Sequence, residues 1–140
     1  PNFYGYRVTD GKRLWKASRR RYAADADMRY IMGASDGRVI LGGGHEIRCL
    51  DVASGKLTWR APLRGRLVAG RGCIAGQTVC VPVDRNEVFL FGLGSGKRTG
   101  RFALNSTGNL LLAGDNLVIS GNGTLAVHRT GGTAQGRDFK

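Results

Sequence analysis

The sequence has few of the residues from which active sites and metal centres are usually built. Its 140 residues include 2 histidines and 3 cysteines, and the cysteines form no CxxC pair. A structural zinc site needs four ligands at characteristic spacing, and neither His45 nor His128 lies near a cysteine cluster. No Ser/His/Asp trio or pair of carboxylates flanking a cleft stands out. We therefore predict no catalytic, cofactor-binding or metal-binding residue within this segment.

Long apolar runs and prolines are also scarce. Apolar stretches such as residues 109–113 are strand-sized and far short of the roughly 18 residues that span a bilayer. Only 3 prolines accompany 23 glycines, without a three-residue period, which excludes collagen and low-complexity linkers. No signal peptide or lipidation motif is present, and the sequence opens on Pro1 rather than Met, which favours a processed or truncated product.

The three cysteines, Cys49, Cys73 and Cys80, leave one pairing open. Their odd number argues against a disulfide framework. If Gly76 and Gln77 form a two-residue hairpin loop, Cys73 and Cys80 face each other across it. They then occupy a hydrogen-bonded pair, whose Cα atoms are farther apart than those of the alternate pairs. Ordinary buried thiols are the favoured interpretation.

Glycine is abundant, and its positions repeat. Gly-Lys pairs begin at Gly11, Gly55 and Gly96, at spacings of 44 and 41 residues, and a degenerate fourth turn occupies residues 129–132. Each turn follows an apolar run, which is typical of short strands that end in tight turns. A period near 40 residues indicates an all-β fold, a β-propeller whose blades each have four antiparallel strands.

The same pairs do not form a phosphate-binding loop. Such a loop requires Ser or Thr after the lysine and then a helix, whose N-terminus binds the anion. Here Arg13, Leu57 and Arg98 follow the lysines, and the residues beyond them are predicted to be strands.

The hairpins between the turns assign the strands to blades. With strands named A to D from axis to rim, residues 1–20 supply the C and D strands of one blade. Full blades are predicted at about 27–62 and 65–104, strands A, B and C of a fourth at about 108–130, and a polar tail at 131–140. The ring is therefore expected to be incomplete, with the remaining blades supplied by the same protein or by a second copy.

The second repeat carries a recognisable motif. Residues 49–59 closely resemble the pyrroloquinoline-quinone-type (PQQ-like) repeat, Ala-x-Asp-x-x-Thr-Gly-x-x-x-Trp, and Asp51, Gly55 and Trp59 match it. The first copy keeps the glycine and the tryptophan but has Arg7 at the aspartate position. The third keeps the glycine but has Gly100 at the tryptophan position. The chain is thus similar to the PQQ-like β-propeller family.

This resemblance implies structural roles for the matching residues. In the family the tryptophan docks between neighbouring blades, the aspartate fixes the turn, and the glycine takes a left-handed conformation. The blade-docking residues implied here are Trp15, Trp59, Asp51, Gly11, Gly55 and Gly96. Where glycine replaces tryptophan, at Gly100, we expect looser packing between blades.

The resemblance also implies a function. It favours a non-catalytic scaffold for protein binding or assembly, outside the cytoplasm (periplasmic or secreted), without a cofactor. The alternative is a fragment of a PQQ-dependent (quinoprotein) dehydrogenase whose active residues lie in blades beyond this sequence, and PQQ and calcium belong to that alternative only. Asp84 and Asn86 are candidate calcium ligands, but an ordinary hairpin turn favours the same residues. These enzymes commonly have a pair of adjacent cysteines, which this sequence lacks.

Positive charge is the main predicted surface feature. The formal net charge is +12, and the cations cluster after each Gly-Lys turn, on the outermost strand and the link that follows it. One interpretation is that these cations discourage edge-to-edge strand pairing. The other is a basic rim that attracts an acidic protein or another polyanion; nucleic acid is the weakest candidate because few aromatics lie among the cations. The rim residues are Arg19, Arg20, Arg21, Arg60, Arg64 and Arg66.

Overall fold

The computed structural model describes residues 2–17, 27–121 and 123–129, and within them the chain forms β-strands and no helix. The strands are β1 (Phe3–Tyr6), β2 (Arg13–Ala17), β3 (Tyr30–Ser35), β4 (Arg38–Gly43), β5 (Glu46–Asp51), β6 (Leu57–Pro62), β7 (Cys73–Ala75), β8 (Thr78–Val83), β9 (Glu87–Gly92), β10 (Arg98–Ala103), β11 (Asn109–Ala113), β12 (Asn116–Gly121) and β13 (Thr124–Arg129). Over these ranges there is no helix of the length and hydrophobicity needed to cross a membrane.

The strands form four antiparallel sheets, and chain order is kept within each sheet. The first sheet contains β1 and β2, the second β3 to β6, the third β7 to β10 and the fourth β11 to β13. We refer to them as blades 1 to 4. The predicted all-β propeller architecture with four-stranded blades is confirmed, and the ring is not closed.

Blade 3 shows why these segments form strands. Val79, Val81 and Val83 alternate along β8 and are fully buried on one face, while Cys80 on the opposite face is 7% exposed. A strand that is covered on both faces has a near-continuous apolar sequence, and β-branched residues pack well on a pleated surface. Blade 3 is therefore the central layer of the described structure.

Three apolar cores fill the spaces between consecutive blades. The core between blades 1 and 2 includes Leu41 and Leu50, with Trp15 packed against it. The core between blades 2 and 3 includes Ile40 and Phe91, with Trp59 packed against it. The third core, between blades 3 and 4, contains Cys73, Cys80, Val88, Leu104, Leu110, Leu117, Ile119 and Ala126. Within the described residues these cores join consecutive blades, as expected for a repeat protein.

The links between blades have a repeated geometry. The amide of Leu63, after β6, donates to the carbonyl of His45 at 2.7 Å, and the amide of Leu104, after β10, donates to the carbonyl of Asn86 at 2.7 Å. Farther along the link after β6, the amide of Ala69 donates to the carbonyl of Pro82 at 3.0 Å. The links after β6 and β10 are thus fixed to the B–C turn of the blade they leave, and the link after β6 is also fixed to the blade that it enters.

Candidate functional site

The Gly-Lys turn has the same backbone geometry in all three described copies. Gly11, Gly55 and Gly96 have φ values of 68, 67 and 66°, in the left-handed region that favours glycine. Each glycine amide donates to the carbonyl four residues earlier at 2.8 Å. The predicted fourth turn at 129–132 and the tail at 131–140 lie almost wholly outside the described residues.

Trp59 joins blade 2 to this turn in blade 3. Its indole N–H donates to the carbonyl of Leu93 at 3.0 Å, and its ring covers Gly96 so closely that a Cβ there would lie 2.5 Å from Trp59 Cε3. Gly96 is therefore required twice, for its positive φ and for the space that the indole occupies.

Trp15 makes the same contact one blade earlier. Its indole N–H donates to the carbonyl of Val52 at 2.7 Å, and a Cβ on Gly55 would lie 2.6 Å from Trp15 Cδ2. The outer strand of one blade and the turn of the next thus form one recurring unit. The structure brings together the sequence-predicted tryptophans and glycines, each tryptophan paired with the glycine of the following repeat.

The third repeat exchanges the two side chains of a cross-strand pair. In the first two repeats a small residue faces the tryptophan, whereas in the third a leucine faces a glycine; the pairs are Gly5–Trp15, Cys49–Trp59 and Leu90–Gly100. Leu90 packs against the core between blades 3 and 4, and a Cβ on Gly100 would lie 3.5 Å from Leu90 Cδ1. In the third repeat the bulky side chain therefore stands on the partner strand, at Leu90. The pair keeps one large apolar side chain but has no indole N–H.

Asp51 fixes the turn of blade 2. Its carboxylate accepts hydrogen bonds from the Ser54 amide at 2.7 Å and the Ser54 hydroxyl at 2.6 Å, and these bonds lower the pKa of Asp51. In the first repeat the roles are reversed. Arg7 stands at the aspartate position and Asp10 at the serine position; their side chains are 3.1 Å apart, and Asp10 accepts from the Lys12 amide at 3.0 Å. In the first repeat the carboxylate therefore stands at the serine position rather than at the aspartate position.

Basic side chains from two blades line a groove of about 520 Å³ at the rim between blades 2 and 3. Arg60 and Arg64 come from β6 and the link after it, and Lys97 and Arg98 come from the Gly-Lys turn and the start of β10. All four cations are exposed, and none of the described residues that line the groove is acidic. We call these four residues the basic groove.

The basic groove has no internal counterion within the described ranges. The ion pairs found there join other residues. Arg98 instead places its guanidinium 4.7 Å from the centre of the Phe89 ring, a cation–π contact that holds this side chain in place without neutralising it. The groove therefore presents uncompensated positive charge.

Arg66 differs from the rim expectation. Its side chain is only 15% exposed and pairs with Asp84 at 2.7 Å and with Glu87 at 2.6 Å. The hydrogen bond with Arg66 lowers the pKa of Asp84, and the same bond raises the pKa of Arg66. Arg66 fastens the link to blade 3 and does not belong to the basic groove. The predicted rim residues Arg19, Arg20 and Arg21 lie outside the described residues.

The turn containing Asp84 and Asn86 does not fit a calcium ion. The Asp84 carboxylate already accepts from Arg66 and from the Leu67 amide at 3.3 Å, and the Asn86 side-chain oxygen accepts from Thr107 at 3.3 Å. Calcium takes 6–8 oxygen ligands, whereas the described residues contain no group of three or more His, Cys, Asp or Glu that could hold a metal ion. These side chains instead fix the turn to its neighbours.

The family model described as "Outer membrane protein assembly factor BamB" matches residues 3–138. BamB from Moraxella catarrhalis is 21% identical with a TM-score of 0.69, and the match covers 92% of this chain and 39% of BamB. The chain thus spans about two fifths of the length of that protein. No curated protein sequence matches it.

Two further solved structures show the same fold. Sqt1 from Saccharomyces cerevisiae is 14% identical with a TM-score of 0.72, covering 97% of this chain and 40% of that one. The quinohemoprotein alcohol dehydrogenase ADHIIG from Pseudomonas putida HK5 is 19% identical with a TM-score of 0.55, covering 71% of this chain and 17% of that one. At these identities the likeness is one of fold.

Proposed function

We propose that this chain, which belongs to the BamB family of PQQ-like β-propellers, is a non-catalytic scaffold segment. Its basic groove binds an acidic segment of a partner protein. The observation that carries this proposal is the groove itself, with four exposed cations from two blades and no acidic residue among those that line it. The family description, an assembly factor of the outer membrane, supports a role in protein assembly outside the cytoplasm.

The chemistry of the groove suits a chain of carboxylates. A guanidinium can bind a carboxylate through two parallel hydrogen bonds, while a lysine ammonium acts as a mobile point charge. Because Arg60 and Arg64 stand on one blade and Lys97 and Arg98 on the next, an extended acidic segment can contact both blades at once. The Trp59–Gly96 contact holds the two walls together, since Lys97 directly follows Gly96.

The groove favours an acidic protein over nucleic acid. Single-stranded nucleic acid is usually bound by exposed aromatic rings on which bases stack. The aromatic residue that lines this groove, Phe91, is 2% exposed and offers no free face. Without an exposed ring for stacking, the groove can bind a ligand through the charges of its cations, and carboxylates provide the opposite charge.

The end blades support the proposal that further blades of the same protein, or of a second copy, complete the ring. On blade 4, Leu111 is 64% exposed and Val127 is 39% exposed. Beside blade 1, of which the described residues form two strands, a groove of about 420 Å³ is lined by Ile31, Val39 and Leu41 of blade 2. Two further inner strands on blade 1 would cover this second groove.

The proposal is tested with a fluorescein-labelled oligoglutamate peptide and fluorescence anisotropy. We expect the double variant Arg64→Asn/Lys97→Ser to bind the peptide about tenfold more weakly, since each exposed ion pair contributes about 0.2–1 kcal/mol. Asparagine is chosen because Arg64 has a φ of 49°, which asparagine tolerates. Binding by the unmodified chain should weaken as salt is raised.

The matched control removes the same charge elsewhere. Lys12 and Arg71 are exposed and do not line the groove, so Lys12→Ser/Arg71→Ser should reduce affinity much less. Equal losses in both double variants would mean that net charge alone attracts the peptide, and the groove would have no specific role. Replacing Arg19, Arg20 and Arg21 together by serine tests their predicted contribution to the rim, with retention on heparin as the readout.

A second candidate function is a fragment of a quinoprotein dehydrogenase, favoured by the shared fold with ADHIIG. Under this alternative the residues that bind PQQ and calcium lie in other blades. Adding PQQ and calcium to a longer polypeptide that contains this chain should then give cofactor absorbance on the protein after gel filtration. A scaffold would retain none.

A further inference from the structure

Cys73 and Cys80 occupy directly opposite positions on β7 and β8. Opposite residues of antiparallel strands have Cα atoms about 4.5 or 5.5 Å apart, depending on the type of pair. Both separations lie within the range of about 4.4–6.8 Å that a disulfide spans. The hairpin is tight, because Ala75 and Thr78 form its last pair and Gly76 turns the chain with a φ of 57°. The backbone therefore keeps the two thiols facing each other.

The pair lies in an apolar environment. Both side chains are less than 9% exposed and belong to the apolar core between blades 3 and 4. A hydrogen bond between the two thiols lowers the pKa of Cys73, and the same bond together with burial raises the pKa of Cys80. These directions favour Cys73 as the attacking thiol.

From this juxtaposition we propose that Cys73 and Cys80 are a redox-active pair, which a small-molecule disulfide converts from two thiols into a cross-strand disulfide. All three cysteines are free thiols in the structure, so the structure describes the reduced form. The proposal is independent of the basic groove and of any partner that binds there.

The reaction proceeds by two exchanges. The Cys73 thiolate attacks one sulfur of the small disulfide, breaks its S–S bond and releases one small thiolate, which takes up a proton from the solution. The sulfur of Cys80, having lost its proton, then attacks the Cys73 sulfur of the mixed disulfide and expels the second small thiolate, which is protonated in turn. Two protein thiols are oxidised, one small disulfide is reduced to two thiols, and the cross-link closes the β7–β8 hairpin.

Cys49 is an internal control. It is 0% exposed and lies in the core between blades 2 and 3, where Trp59 stands opposite on the neighbouring strand. With no cysteine across from it, Cys49 should remain a thiol under conditions that close the other pair.

The test uses oxidised glutathione on the folded chain, followed by acid quenching, denaturation, alkylation with N-ethylmaleimide and peptide mass spectrometry. We expect alkylation at Cys49 only and one peptide linking Cys73 to Cys80, reversed by dithiothreitol. Three alkylated cysteines, or a disulfide that includes Cys49, would overturn the proposal.

Two variants test the order of attack. Cys80→Ser should trap glutathione on Cys73, because the resolving thiol is missing, whereas Cys73→Ser should leave Cys80 unmodified. Cys49→Ser should behave as the unmodified chain does. Far-ultraviolet circular dichroism checks that each variant keeps its strands. An adduct on Cys80 in folded Cys73→Ser, with none in Cys80→Ser, would overturn the order of attack, and an adduct in neither folded variant would overturn the pair.

Discussion

The contact between blades 2 and 3 and the contact between blades 3 and 4 share one backbone plan but differ in their side chains. In the first, Trp59 crosses to the next blade, covers Gly96 and donates to the carbonyl of Leu93. In the second, Gly100 stands at the tryptophan position and Leu90, opposite it, packs into the core. The comparison shows that either strand of the pair can fill the space, whereas only the tryptophan adds a polar bond to the neighbouring blade.

The two cores also differ in how deeply their aromatic side chains are buried. Between blades 2 and 3, Phe89 and Phe91 are 3% and 2% exposed, with ring centres 6.5 Å apart. Between blades 3 and 4, Phe102 is only partly buried. Aromatic residues bury the largest areas and dominate core energetics. We therefore expect the contact between blades 2 and 3 to be the more stable of the two.

Deleting the tryptophan should have the largest effect. Trp59→Ala removes a large aromatic together with its hydrogen bond, and we expect a loss of about 3–5 kcal/mol of unfolding free energy. Leu90→Ala at the other contact should cost less, about 2 kcal/mol, because leucine is smaller than tryptophan and makes no hydrogen bond. Urea unfolding followed by circular dichroism measures both. A loss below about 1 kcal/mol for Trp59→Ala would contradict the docking role.

Filling the space beneath the indole should have an intermediate effect. Gly96→Ala places a methyl group against Trp59 and adds left-handed strain, which together should cost about 2–3 kcal/mol. Gly114→Ala is the matched control, since its φ is 59° and nothing lies within 4 Å of its Cβ position. It should cost about 1 kcal/mol, from strain alone. Tryptophan emission should shift to longer wavelength only in Gly96→Ala; equal costs with no shift would remove the steric argument.

Removing the turn carboxylate should have the smallest effect, and it should depend on pH. Hydrogen bonds from Ser54 lower the pKa of Asp51, so its contribution to stability is complete above its ordinary pKa of about 3.9 and is lost as pH falls through the lower folded value. Asp51→Asn should therefore be less stable than the parent at about pH 6 and approach it at about pH 3. Urea midpoints across this range measure the difference. Parallel pH profiles would show that Asp51 does not contribute. The third repeat has Gly92 at this position and offers no such dependence.

The strand order and the turns could be predicted because they depend on local residues. Each Gly-Lys pair marks a turn whose glycine has a positive φ, and the spacing of these pairs fixes the blades. The exchange at Leu90 and Gly100 was also visible in principle, because aligned repeats show a large residue at the small position where the tryptophan is missing. The same alignment places Asp10 at the serine position opposite Arg7.

The basic groove could not be predicted, because it joins two repeats that the sequence keeps apart. Arg64 and Lys97 belong to clusters that follow different turns, and only the packing of blade 2 on blade 3 brings them to one groove. The same packing also explains why Arg66 is not an exposed rim residue, since its partners Asp84 and Glu87 lie on the following blade's hairpin. Charge clusters along the chain indicate where cations lie, whereas their pairing depends on contacts distant in sequence.

The indole contact also gives the array a direction. Trp15 reaches forward to Gly55, and Trp59 reaches forward to Gly96, so the second repeat has a donor side and a different acceptor side. Contacts of this head-to-tail kind can be extended without altering either surface. A duplicated gene segment encoding one such repeat would therefore insert a blade that already fits both of its neighbours. Growth of the propeller by unit duplication requires no new contact to evolve.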